Sequence, residues 1–315
     1  MRNSKLAASA ALVGVLAAVL AVSACSRKHE PPAAATAPTA PAEARPSEGA
    51  PRIAIAPDGV HVQYRVYGSG EPALVLIHGW SCDSNYWREQ VPVLKQKYTI
   101  VTVDLAGHGG TDGNRTDWSI ARFGQDVATA VAAVPNQQLI LVGHSMGGPV
   151  AIEAARLLKG RTLGIIGVDT FNTVGAPAPT KAQVDAILKP FETDFIGTTR
   201  RLVSDHLFAP DGDRKLADKV SYDMSLAPAR VALPAMRALF EYDFAAPLKD
   251  LSVPIVGIFS KLGEPVNEAR IRKVLPKFHA VTLEGVGHFL MMEDPAGFNA
   301  ALETEVQGML AQHGS

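Results

Sequence analysis

A serine with glycines two residues to either side stands in Gly143-His144-Ser145-Met146-Gly147-Gly148. It follows the apolar run Leu139-Ile140-Leu141-Val142 and precedes a helix-like stretch. That is the setting of a sharp strand-to-helix turn that pushes a side chain outward, and the flanking glycines keep bulk away from its strained backbone. Ser145 Oγ would then sit at a helix N-terminus, where the helix dipole favours developing negative charge. The chemistry such a residue performs is nucleophilic attack on a carbonyl carbon.

Acyl transfer needs two more parts: donors for an oxyanion and a base for the hydroxyl proton. The run Ala73-Leu74-Val75-Leu76-Ile77 leads directly into His78-Gly79-Trp80. A glycine at the end of a central strand lets the backbone come close, so the expected donors are the N–H groups of Trp80 and Met146. His78 itself reads as a structural residue that fixes this loop. The base belongs at the end of a late strand, and His288 in Leu283-Glu284-Gly285-Val286-Gly287-His288-Phe289 meets that requirement. The other histidines lack such a setting: His144 is the variable position of the turn and His108 lies in a Gly-rich turn. None of them shows the paired His-x-x-x-His spacing of a metal site, and the serine chemistry calls for no cofactor. Cys82 reads as a small packed side chain, since a nucleophile is already supplied.

These side chains must be held by a sheet. Strands are predicted at Val60–Tyr67, Ala73–Ile77, Tyr98–Val103, Gln138–Val142, Leu163–Val168, Pro254–Phe259 and Ala280–Leu283. Several are unbroken Val/Ile/Leu runs, as expected of parallel strands buried on both faces. Helical segments at Ile120–Val134, Pro149–Leu158, Glu268–Val274 and Pro295–Ala311 alternate with them, which predicts an α/β doubly wound sheet. The first two strands, separated by Gly68-Ser69-Gly70-Glu71-Pro72, are expected to form an edge hairpin. Alternation stops between about 173 and 249, too long for a loop, where Ile187, Leu188, Phe191 and Phe195 recur at helical spacing. That stretch is predicted to be a helical cap. Trp80, Trp87 and the cap's apolar residues point to a partly hydrophobic acyl pocket.

In order and spacing, the strand–His-Gly-Trp, Asp104-Leu105-Ala106-Gly107-His108-Gly109, Gly-His-Ser-Met-Gly-Gly and Gly-Val-Gly-His segments resemble the α/β-hydrolase superfamily. The resemblance spans about residues 60–310. It implies a mainly parallel sheet, a cap inserted after the sixth strand and a Ser–acid–His triad in that chain order. In the family the acid commonly follows the strand matching Pro254–Phe259, in a Gly-x-x-Asp segment, but here the aligned residues are Ser260-Lys261-Leu262-Gly263. Two carboxylates remain candidates. Asp169 is placed first, at the strand end from which certain haloalkane dehalogenases supply the acid, and Glu264 second. Asp104 reads as a structural residue of its turn. Relatives that open epoxides or displace halide use a carboxylate nucleophile, so Ser145 directs the expectation to esters, lactones or thioesters. Carbon–carbon bond hydrolysis and perhydrolysis by the same triad stay open. A catalytically inactive binding protein would have little need for nucleophile, base and oxyanion turn together.

The remaining sequence bears on location and partners. The 315 residues carry 30 Lys+Arg against 31 Asp+Glu, so no charge excess draws the chain to nucleic acid. Two cysteines make no disulfide framework. Leu6 to Ser26 are uncharged, follow Arg2 and Lys5, and contain Val22-Ser23-Ala24-Cys25, which resembles the lipobox of bacterial lipoproteins. The expectation is a signal over 1–24, lipidation of Cys25, a Pro/Ala-rich tether over 25–51 and a hydrolase domain over 52–315. By resemblance to lipoproteins of bacteria with two membranes, Ser26 after the cysteine implies transfer to the outer membrane. The expected partners are therefore a small-molecule ester and a membrane, with no nucleic acid and no evident protein partner.

Overall fold

A computed structural model describes residues 47–262 and 265–313. The signal, Cys25 and most of the tether lie outside the described residues, as does Glu264.

Eight strands form one sheet in the order β1-β2-β4-β3-β5-β6-β7-β8. They are β1 (Arg52–Ile55), β2 (His61–Tyr67), β3 (Ala73–Ile77), β4 (Thr99–Val103), β5 (Leu139–His144), β6 (Thr162–Val168), β7 (Ile255–Ser260) and β8 (Ala280–Leu283). The apolar runs behave as expected: every residue of β3, β4, β5, β6 and β7 is buried, because helices cover both faces of the parallel part. Helix α1 (Ile120–Ala132), started by Ser119, packs on α2 (Gly147–Leu157), and α8 (Pro295–His313) closes the chain.

The edge hairpin is where expectation and structure part. β2 does not pair with β3. It pairs antiparallel with β1 on one side and with β4 on the other, while β3 lies between β4 and β5 in parallel pairing. The hairpin is β1–β2, closed by Pro57-Asp58-Gly59. β1 escaped the sequence reading because it is only four residues long and its apolar run is not a core run: Ile53 and Ile55 face outward, and Arg52 and Ala54 are half-buried. The real consequence is topological. Leaving β3, the chain goes first to β4 on one side and later to β5 on the other, and a crevice opens at the carboxyl ends where the order reverses.

Between β6 and β7 the expected helices are present: α3 (Lys181–Thr193), α4 (Phe195–Leu202), α5 (Arg214–Ser225), α6 (Ala229–Phe240) and α7 (Ala245–Lys249). Their starts are written locally. Thr180 and Gln183 form a reciprocal capping box on α3, and the carboxylates of Asp194 and Asp213 accept the first free N–H groups of α4 and α5. On α3 the buried stripe is Val184, Leu188 and Phe191, at helical spacing, whereas Ile187 is 40% exposed and takes no part in it.

Candidate active site

Ser145 follows β5 directly, with φ of 52°, in the left-handed region that costs a non-glycine residue roughly 1 kcal/mol or more. A Cβ on Gly143 would lie 2.1 Å from the Gly147 carbonyl oxygen, so the turn closes only because that atom is missing. The β3 turn also packs close, since a Cβ on Gly79 would sit 3.2 Å from Ser145 Cβ. Met146 and Trp80 follow these two close-packed residues, and neither N–H donates to another protein group among the described residues.

Sheet register then sets what stands beside the serine. His144 of β5 pairs with Val168 of β6, so the next residues, Ser145 and Asp169, leave adjacent strand ends together. Ser145 N–H donates to Val168 O at 2.9 Å, and Asp169 N–H donates one strand further, to Ile258 O of β7, at 2.8 Å. Asp169 also has positive φ, at 47°. Its carboxylate is held on both oxygens. Oδ1 accepts from Ser260 N–H (3.0 Å) and the Ser260 hydroxyl (3.3 Å), while Oδ2 accepts from His288 Nδ1–H at 2.6 Å. A carboxylate only accepts, so this contact places a proton on Nδ1, and in the neutral imidazole Nε2 is then the nitrogen with the lone pair. Ser145, His144 and His288 line one cavity together.

Several supporting residues were given bland roles or none by the sequence reading. His144, at the turn's variable position, donates Nε2–H to the His288 carbonyl at 2.9 Å, with its ring 4.6 Å from that of His288. Burial holds it well below the ordinary histidine pKa, with the nearby His288 charge acting in the same direction. Ser260 stands at the first position of the segment in which relatives carry their acid, and it orients Asp169 instead. Glu293, five residues past His288, accepts from Gly287 N–H (2.9 Å), Phe289 N–H (3.2 Å) and Ala209 N–H (3.4 Å), so one carboxylate ties the His288 loop to the cap. His288 N–H itself donates to Leu207 O of the cap at 2.7 Å. The available signal was a Glu within one helical turn of a loop rich in free N–H groups, too common to be singled out.

Other expectations are placed as follows. His78 accepts from Leu105 N–H at Nε2 (3.0 Å) and donates from Nδ1 to Gly79 O (2.8 Å), bracing the loop. Asp104 is committed to its turn, accepting from Ser84 N–H, Gly110 N–H and the Gln63 amide. Burial pushes the Cys82 thiol up, and its Sγ donates to Trp80 O, so it is a thiol that lines the cavity wall. Trp80 lines the cavity and donates Nε1–H to Ala232 O of the cap at 2.7 Å, with Phe191 and Phe195 edge-on to its ring. Trp87 does not reach it. Fully buried beside Phe298, it belongs to the core, a distinction its sequence neighbourhood does not encode.

The model of the Alpha/beta hydrolase family matches residues 74–301, more than two thirds of the sequence. The chain belongs to the alpha/beta hydrolase family. It is 28% identical over 249 residues to a pimeloyl-[acyl-carrier protein] methyl ester esterase of Edwardsiella ictaluri, covering 75% of this chain and 93% of that protein. An uncharacterized protein of Mycobacterium tuberculosis is 36% identical over 97 residues, and there the match spans only 28% of the relative's length. Among solved structures, an esterase from Rhodococcus sp. ECU1013 superposes with a TM-score of 0.66 at 25% identity, covering 82% of this chain and 99% of its own. Family and relatives support an esterase-like hydrolase, with the crevice at the strand ends where the chemistry would sit.

Proposed function

We propose that this hydrolase cleaves carboxylic ester bonds by a serine mechanism. The observation that carries the reading is His288, which lines one cavity with Ser145 while its Nδ1–H is held by Asp169 at 2.6 Å. With Nε2 unprotonated, His288 takes the Ser145 hydroxyl proton as Oγ bonds to the ester carbonyl carbon. The oxyanion accepts from Trp80 and Met146 N–H, the alkoxide leaves with the proton from His288, and an acyl-enzyme remains. Water then repeats the sequence and releases the acid. The Asp169 carboxylate fixes the imidazole tautomer and balances the imidazolium.

A fluorophosphonate probe tests the assignment. Wild-type protein should be labelled and should hydrolyse p-nitrophenyl esters, and Ser145→Ala should do neither. Labelling that survives Ser145→Ala would sink the proposal. Comparing Asp169→Asn with Glu264→Gln decides between the two candidate acids, and the hydrogen bonds to Asp169 support loss of activity in the former.

Location is proposed from the sequence alone: export and lipidation at Cys25, with the Pro/Ala-rich tether holding the enzyme off a membrane surface. Among the described residues no helix is long and apolar enough to cross a membrane. Radiolabelled palmitate fed to expressing bacteria should enter the wild-type chain and not Cys25→Ser. Equal incorporation would refute the anchor.

A further inference from the structure

Two cavities of very different size meet at Ser145 and His288. The smaller, about 140 Å³, is walled by apolar side chains, among them Trp80, Leu207, Met224, Met236 and Phe289. The larger, about 790 Å³, runs along the segment after β6 and carries polar groups, including Asp169, Thr170, Asn172, Gln183 and Asp243. Leu239 and Phe240, at the carboxyl end of cap helix α6, line both and form the partition between them.

Resting on the serine-esterase reading above, we infer that the small cavity is the acyl subsite and the large one receives the alcohol, so the substrates are esters of short apolar acids with bulky alcohols, and Leu239 and Phe240 set the acyl length. The direction follows from the second half-reaction. The hydrolytic water must take the position the alcohol has vacated, beside His288 Nε2. The polar side chains of the large cleft offer water hydrogen-bond partners, whereas beyond His144, Ser145 and His288 the small cavity is walled by apolar side chains that offer few. Water therefore arrives from the large cleft, the alcohol departs into it, and the acyl chain is left to the more apolar side. An apolar cavity of about 150 Å³ admits benzene, which sets the scale of the acyl group near butanoyl to hexanoyl or benzoyl.

Two matched series test this on the full-length chain: p-nitrophenyl esters from acetate to dodecanoate, and butyrate esters of methyl, benzyl and naphthyl alcohols. Expected is a kcat/KM maximum at butyrate or hexanoate with a fall of about tenfold by decanoate, while the naphthyl ester is cleaved at least as well as the methyl ester. Phe240→Ala, or Leu239→Ala should the first not fold, should raise the decanoate-to-butyrate ratio several-fold. The reverse pattern, long acyl chains accepted and only methyl alcohol tolerated, would overturn the assignment. Absence of both ester hydrolysis and Ser145 labelling would instead remove the serine-esterase reading and the subsites with it.

Discussion

Asp169 Oδ2 and His288 Nδ1 meet at 2.6 Å although 119 residues separate them in the chain. The contact depends on the β5–β6–β7 register on one side, which delivers Asp169, and on the loop after β8 on the other, which delivers His288.

Replacing that carboxylate by an amide should be severe. In Asp169→Asn either the amide N–H group confronts Nδ1–H or the imidazole switches its proton to Nε2, where it can no longer accept from Ser145. A loss of about 10³- to 10⁴-fold in kcat is expected, with KM little changed and the far-UV spectrum intact. Steady-state kinetics on p-nitrophenyl butyrate measures it, and a loss below tenfold would exclude Asp169 as the orienting acid.

Ser260→Ala should be mild by contrast. It removes the longer of two donors to Asp169 Oδ1 and keeps the backbone N–H at 3.0 Å. A decrease in kcat of no more than about tenfold is expected, consistent with about 1 kcal/mol for one hydrogen bond. Activity as low as in Asp169→Asn would mean that the hydroxyl, rather than the N–H, holds the carboxylate.

Glu293→Gln tests the brace between cap and base loop. Both carboxylate oxygens accept backbone N–H groups, so a glutamine must turn its own NH₂ toward at least one donor. The variant should lose about 1–3 kcal/mol of stability in urea unfolding, together with kcat. Unchanged stability and kcat would show that the brace is dispensable.

Acid should destabilise the fold through buried neutral histidines. Burial lowers His78 and His144, and pushes His108 down to about 3. His78 and His108 also each accept a backbone N–H at Nε2, where a proton would clash with the donor. Unfolded, all three titrate near 6.5; for His108 the unfolded state binds more protons between that pH and about 3, so stability falls as pH falls, and the lowered His78 and His144 add to the fall below 6.5. Below pH 6 His108 alone should contribute a slope approaching about 1.4 kcal/mol per pH unit, with His78 and His144 acting in the same direction. Urea titrations at pH 7, 6 and 5 check this, and stability independent of pH over that range would contradict it.

Much of the site was legible locally. The elbow around Ser145, the His-Gly-Trp turn and the Gly-Val-Gly-His segment are each a strand end followed by a glycine-containing turn, and a strand's direction places such ends on one edge of a parallel sheet. The helical cap was legible because its helix starts and much of its apolar spacing, Leu188 and Phe191 among it, lie within single helices, although Phe195 falls on the next helix, α4. Tertiary structure decided what depends on lateral neighbours. Register put Asp169 beside Ser145 and Ser260 behind Asp169, sheet order put β4 between β2 and β3, and packing sent Trp87 to the core and Trp80 to the cavity. Glu293 and His144 gained their partners the same way, through backbone groups that no side-chain pattern announces. A sequence records which groups each strand end carries; only the paired strands and docked cap determine which of them come within hydrogen-bonding distance.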